Sequence, residues 1–92
     1  MNYYKRNWDE SKGDELTDSW GKSTYYFETD VDHTVLRQIQ VFENGIALKY
    51  SDEFLCDNYG GLSDQPLDAH DFEQYKIEKD DFEKAWATDY KN

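Results

Sequence analysis

The sequence predicts an α+β fold: a small antiparallel sheet of about four strands in a meander, with one short helix and one C-terminal helix packed on one face. Three observations carry this. Apolar residues alternate on both sides of Asn44-Gly45, aromatic and β-branched runs precede that turn, and the final third switches to helical spacing.

"NYYKRNW" at 2–8 reads as an outer strand, and "KSTYYFETD" at 22–30 as the next, with the polar, turn-rich "DESKGDELTDSWGKS" between them. "VDH" at 31–33 makes a three-residue connection that sets Phe27 opposite Arg37 and Tyr25 opposite Ile39. In "HTVLRQIQVFENGIALKY", a two-residue type I′ turn at Asn44-Gly45 pairs Glu43 with Ile46, Val41 with Leu48 and Ile39 with Tyr50. Val35, Ile39, Val41, Ile46, Leu48 and Tyr50 then form the core face, and Leu36, Gln38, Gln40, Phe42, Ala47 and Lys49 a mixed outer one.

Downstream, Asp68 is a natural N-cap, and Leu67 before it can meet Phe72 as a hydrophobic staple. In "IEKDDFEKAWATDY", Phe82, Ala85, Trp86 and Tyr90 share one stripe, with Glu83, Lys84 and Thr88 away from it. Asp80 and Asp81 fall in the first turn, where the helix dipole favours negative charge. Trp8 and Trp20 lie outside any amphipathic pattern.

The 92 residues suit a single domain, 1–92, and the 17% aromatic content supplies the large rings that a 37% hydrophobic fraction would otherwise lack. Net charge is −11, distributed as −3 over residues 1–50 and −8 over 51–92. Phosphate backbones and anionic membranes both select clustered Lys and Arg, so neither nucleic acid nor membrane is the expected partner; a basic protein is. A single cysteine, Cys56, permits no internal disulfide, and the N-terminal residues lack the apolar stretch of a signal peptide, which together predict a cytoplasmic protein.

Charge is most lopsided in "YSDEFLCDNYGGLSDQPLDAHDFEQY", residues 50–75, where seven carboxylates meet no lysine or arginine amid several rings and leucines. Its Asp52, Glu53, Asp57, Tyr59, Asp64, Asp68, Asp71 and Glu73 are the candidate partner-binding residues. Carboxylates would steer a cationic partner into encounter, and Tyr59 would anchor it.

Motifs for chemistry are sparse. His33 in "DVDHT" and His70 in "DAHDF" are each flanked by aspartates, but a triplet in a turn supplies at most about two of the four ligands that zinc takes. They read better as turn and helix-start residues. Cys56 has acidic neighbours, which disfavour a thiolate. Asp52-Glu53, Asp80-Asp81, Asp9-Glu10 and Asp14-Glu15 are adjacent pairs, not carboxyls converging in unlike environments. "ETDVDHTV" lacks the glycine and final glutamate of a calcium loop, and "YGGL" lacks the lysine of a phosphate loop. A non-enzyme without cofactor or metal is expected.

"IQVFENG" at 39–45 followed by "IEKDDFEKAW" at 77–86 resembles a family of small, acidic, uncharacterised bacterial domains, with a V-F-x-N/D-G strand end and an I-S-x-E-E-F-E-x-x-W helix. The resemblance covers roughly residues 23–87 and departs at Glu78, where the family often has a capping serine. Its acidic members look like the immunity proteins encoded beside bacterial toxins. The resemblance therefore implies an immunity or antitoxin-type protein, and the pairing of carboxylates with tyrosine in residues 50–75 suits an inhibitor of a basic toxin, a nuclease, whose cationic surface it would occlude. A non-catalytic protein-binding adaptor is the alternative, with a neutral interface around Leu36, Phe42 and Tyr26.

Overall fold

The computed structural model describes residues 1–8, 20–51, 53–56, 61–62 and 66–87. Expectations placed on Thr88 and Tyr90 lie outside these residues. Among the described residues the strands are β1 (Asn2–Trp8), β2 (Ser23–Thr29), β3 (Val35–Phe42), β4 (Ala47–Ser51) and β5 (Lys76–Ile77), and the helices are α1 (Ala69–Phe72) and α2 (Lys79–Ala87). All pairings are antiparallel, in the order β4-β3-β2-β1-β5. The class is α+β, and the first four strands form the expected meander. The fifth is a two-residue strand paired to Tyr3 and Tyr4, too short to leave a periodic signal.

The β3–β4 register differs by one residue from the expected one: Val41 faces Ala47, Ile39 faces Lys49 and Gln38 faces Tyr50. Only Gly45 takes a left-handed conformation in this turn, at φ 87°, whereas a type I′ turn needs Asn44 there too. The loop has three residues, Glu43 to Gly45. The Phe42 N–H donates to the Ile46 carbonyl at 2.9 Å, and the Gly45 N–H to the Phe42 carbonyl at 3.0 Å. The Asn44 side chain accepts from the Ile46 N–H at 3.0 Å.

A second correction lies between β2 and β3. Thr29 pairs with Val35 as the three-residue connection requires, but a bulge follows, and Glu28 pairs with Arg37. Beyond it Tyr26, not Tyr25, faces Ile39, and Phe27 faces Gln38. Residues either side of a bulge change faces, so Val35 joins Phe27 rather than Ile39.

With this register both faces of the sheet are core. On one, Tyr3, Ile39 and Ala47 pack under Phe82 and Ala85 of α2, with Tyr26, Val41, Ile77 and Trp86 at the margin. Ile39 and Phe82 are fully buried. On the other, Tyr4, Phe27 and Val35 pack against Phe72 of α1, and Phe42, Leu48 and Tyr50 form an adjoining cluster with Leu62 and Trp20. The C-terminal helix thus covers one face, while the short helix covers the opposite one. Trp20 meets Phe42 edge-on at 5.1 Å between centroids, one of the two tryptophans that periodicity left unplaced.

Candidate partner-binding surface

The acidic segment starts where β4 ends at one edge of the sheet and finishes before β5 on the other edge, and its described Leu62, Leu67 and Phe72 pack on the face opposite α2. Backbone bonds hold it at intervals. Ser51 and Phe54 each donate an N–H to the other's carbonyl at 3.1 Å, and the Leu62 N–H donates to the Leu55 carbonyl at 2.8 Å. Cys56 and Gly61 form a further bridge. A Cβ at Gly61 would come within 2.9 Å of the Leu55 carbonyl oxygen, so this close approach requires glycine. Buried Gln38 donates from Nε2 to the Gly61 carbonyl at 3.2 Å, and the Leu67 N–H reaches the His33 carbonyl at 2.9 Å.

Asp68 caps α1 as the sequence predicts, its Oδ1 accepting from the His70 N–H at 3.0 Å and the Asp71 N–H at 3.3 Å. Leu67 and Phe72 lie in one cluster, as a staple requires. Phe72 then inserts edge-on between Tyr4 of β1 and Phe27 of β2, with centroids 5.9 and 5.7 Å away.

Of the candidate residues, Asp52, Asp57, Tyr59 and Asp64 lie outside the described residues. Glu53, Asp68, Asp71 and Glu73 are exposed. The structure spreads these four across the face instead of gathering them: Glu53 stands beside the β4 edge, and the other three follow α1 over β1 and β2. The segment holds no cation of its own, but the sheet lends one. Arg6 on β1 pairs with Asp71 at 3.3 Å and lays its guanidinium over Phe72 and Tyr75, 5.3 and 5.2 Å from their centroids. Asp71 is therefore partly neutralised and the Asp68 carboxylate is engaged in capping.

Sequence reasoning passed over two further residues. Phe54 and Leu55 point outward, 51% and 59% exposed, while Leu62, Leu67 and Phe72 of the same segment turn in. An apolar pair beside an acidic pair was the available signal, but without the register nothing distinguished inward from outward.

Elsewhere the arrangement is structural. Arg37 donates from Nε and Nη2 to the two carboxylate oxygens of Glu28, both at 2.8 Å, and from Nη2 to Glu83 on α2. Its guanidinium lies 4.9 Å from the Phe82 centroid and 5.0 Å from that of Trp86. Arg37's hydrogen bonds hold the Glu28 carboxyl below its ordinary range; burial and the neighbouring Glu28 raise the Tyr3 phenol. Arg6, Tyr25, Phe27 and Phe72 line a mostly apolar, open cavity of about 200 Å³. Burial pushes the Tyr25 phenol up. Among the described residues no three His, Cys, Asp or Glu side chains gather as a metal site. His33 sits in a turn at φ 67°, whose Asp30 Oδ1 accepts from the Asp32 and Thr34 N–H groups, and His70 is in the first turn of α1.

The adaptor interface expected around Leu36, Phe42 and Tyr26 does not exist as one open face. Tyr26 packs on the α2 side, and Phe42 is buried on the other beside Trp20. Fold and site together define a sheet covered on both faces, one by a helix and the other by an acidic crossover. Comparison with family models, curated proteins and solved structures finds no match for the chain. Among the described residues no helix is long and apolar enough to cross a membrane.

Proposed function

We propose that this chain is an immunity-type protein that binds a basic toxin domain, a nuclease, and inhibits it by covering its cationic surface. The observation that supports this reading is the crossover: Leu62, Leu67 and Phe72 are used to hold it on the sheet, and its described carboxylates remain on the surface. A net charge of −11 extends that field over the molecule. A nuclease cleft selected to hold phosphate presents the complementary sign, and long-range attraction raises the encounter rate. The chain itself performs no chemistry in this reading.

The test is to purify the chain with the nuclease domain encoded beside its gene and titrate nuclease activity. Inhibition complete at one chain per nuclease, with a complex that survives gel filtration, is expected. Full nuclease activity at excess chain would sink the inhibitor reading and leave a binding role without inhibition.

A further inference from the structure

We propose that Phe54 and Leu55 are the apolar anchor of this surface, and that they fit a cationic protein carrying an apolar recess. The inference rests on the acidic-surface reading above and adds what the charges cannot provide, since steering accelerates encounter more than it holds a complex. Single exposed apolar side chains are ordinary on protein surfaces. Here two large ones are adjacent and displayed by a fixed backbone. The reciprocal Ser51–Phe54 hydrogen bonds, the Leu62–Leu55 bond and the Cys56–Gly61 bridge hold the chain on both sides of them. Phe54 is further fixed by stacking on buried Tyr50, 6.0 Å between centroids and 1° from parallel. Rings and side chains held out in one place lose little freedom on binding, which is how preorganised anchors gain affinity.

Charge selects the occupant. Asp52 and Glu53 precede the pair in sequence and Asp57 follows closely, with no lysine or arginine between Tyr50 and Tyr75. A second copy of this chain, itself at −11, would bring like charge to the same place. A cationic partner relieves that repulsion while burying the apolar pair.

Two probes separate the contributions: an amphipathic lysine–leucine peptide and an oligolysine of the same charge, each titrated calorimetrically against the intact chain. The lysine–leucine peptide is expected to bind more tightly, and Leu55→Ser to weaken it by about tenfold while leaving oligolysine unchanged. Phe54→Ser should do the same; because Phe54 also stacks on Tyr50, Leu55→Ser is the variant that decides if Phe54→Ser fails to fold. Equal affinity for both peptides, unaffected by Leu55→Ser, overturns the anchor and leaves the acidic surface standing. Failure of both peptides to bind overturns the two together. A concentration-dependent dimer of the free chain that Leu55→Ser abolishes assigns the pair to a second copy and also overturns the proposal.

Discussion

Arg37 joins the sheet to the last helix through its Nε and Nη2 groups and the aromatic contacts of its guanidinium. Its planar fork meets Glu28 across β2–β3 and Glu83 on α2, and its faces lie against Phe82 and Trp86. Because Glu28 is nearly buried, removing the charge on either partner leaves the other poorly solvated. The folded state lowers the Glu28 carboxyl's pKa, so this contribution is present above the ordinary carboxylate range and is lost as pH falls through the folded value. Glu28→Gln should therefore cost on the order of 1–3 kcal/mol at neutral pH and flatten the acid limb of a melting-temperature series from pH 7 to 3. An unchanged acid limb would remove the pair from the account. At Gly45 the left-handed backbone, φ 87°, makes Gly45→Val costly by about 1–2 kcal/mol or more, readable by thermal melting. Asp68 was legible in the sequence because an N-cap is a local rule. The Arg37 network was not, since it joins residues that meet only once register and helix placement are set.

Among the elements, α2 closes one face of the sheet. Its buried Phe82 lies 5.5 Å from the Tyr3 ring, and the carbonyl of Trp86 in its last turn accepts from Lys49 Nζ at 2.7 Å, a cation where the helix dipole favours one. The stripe of Phe82, Ala85 and Trp86 was readable from spacing; Glu83, assigned away from it, instead reaches the sheet through Arg37. Phe82→Ala should cost about 3–5 kcal/mol, with amide protection over residues 79–87 falling before that of β2 and β3. Protection that persists unchanged would show that the helix docks by other means. The sheet teaches the opposite lesson. Asn44-Gly45 announced a hairpin correctly, but two- and three-residue loops use the same dipeptide, and one residue of difference exchanges the faces. Apolar residues on both faces of β3 and β4 made either register acceptable as a pattern. Only the second layer of packing, Phe72 and Leu62 on one side and Phe82 on the other, selects between them.

At the scale of the whole molecule, the proposed reading assigns association to net charge and stability to the covered sheet, so the two can be tested separately. In the proposed inhibitor reading, changing Asp52, Glu53, Asp57 and Asp64 to their amides should slow binding to a basic nuclease partner and reduce its salt dependence, with dissociation less affected. Stopped-flow association at two salt concentrations reads this directly, and an unchanged association rate would move the contact away from the crossover. The sheet order has another consequence, for the sequence of events in folding. The β2-β3-β4 meander pairs strands that are neighbours along the chain, whereas β1 and β5 bring together residues from opposite ends of the described sequence. Loop closure makes such a distant pairing slow to nucleate, so the meander should be structured at the rate-limiting barrier and β5 should add afterwards. Gly45→Val would then chiefly retard refolding, while Ile77→Ala, in the late strand, would chiefly accelerate unfolding. Chevron plots of the two variants should diverge on opposite limbs, giving a protein whose lifetime, more than its speed of assembly, is set by two residues at the sheet's far edge.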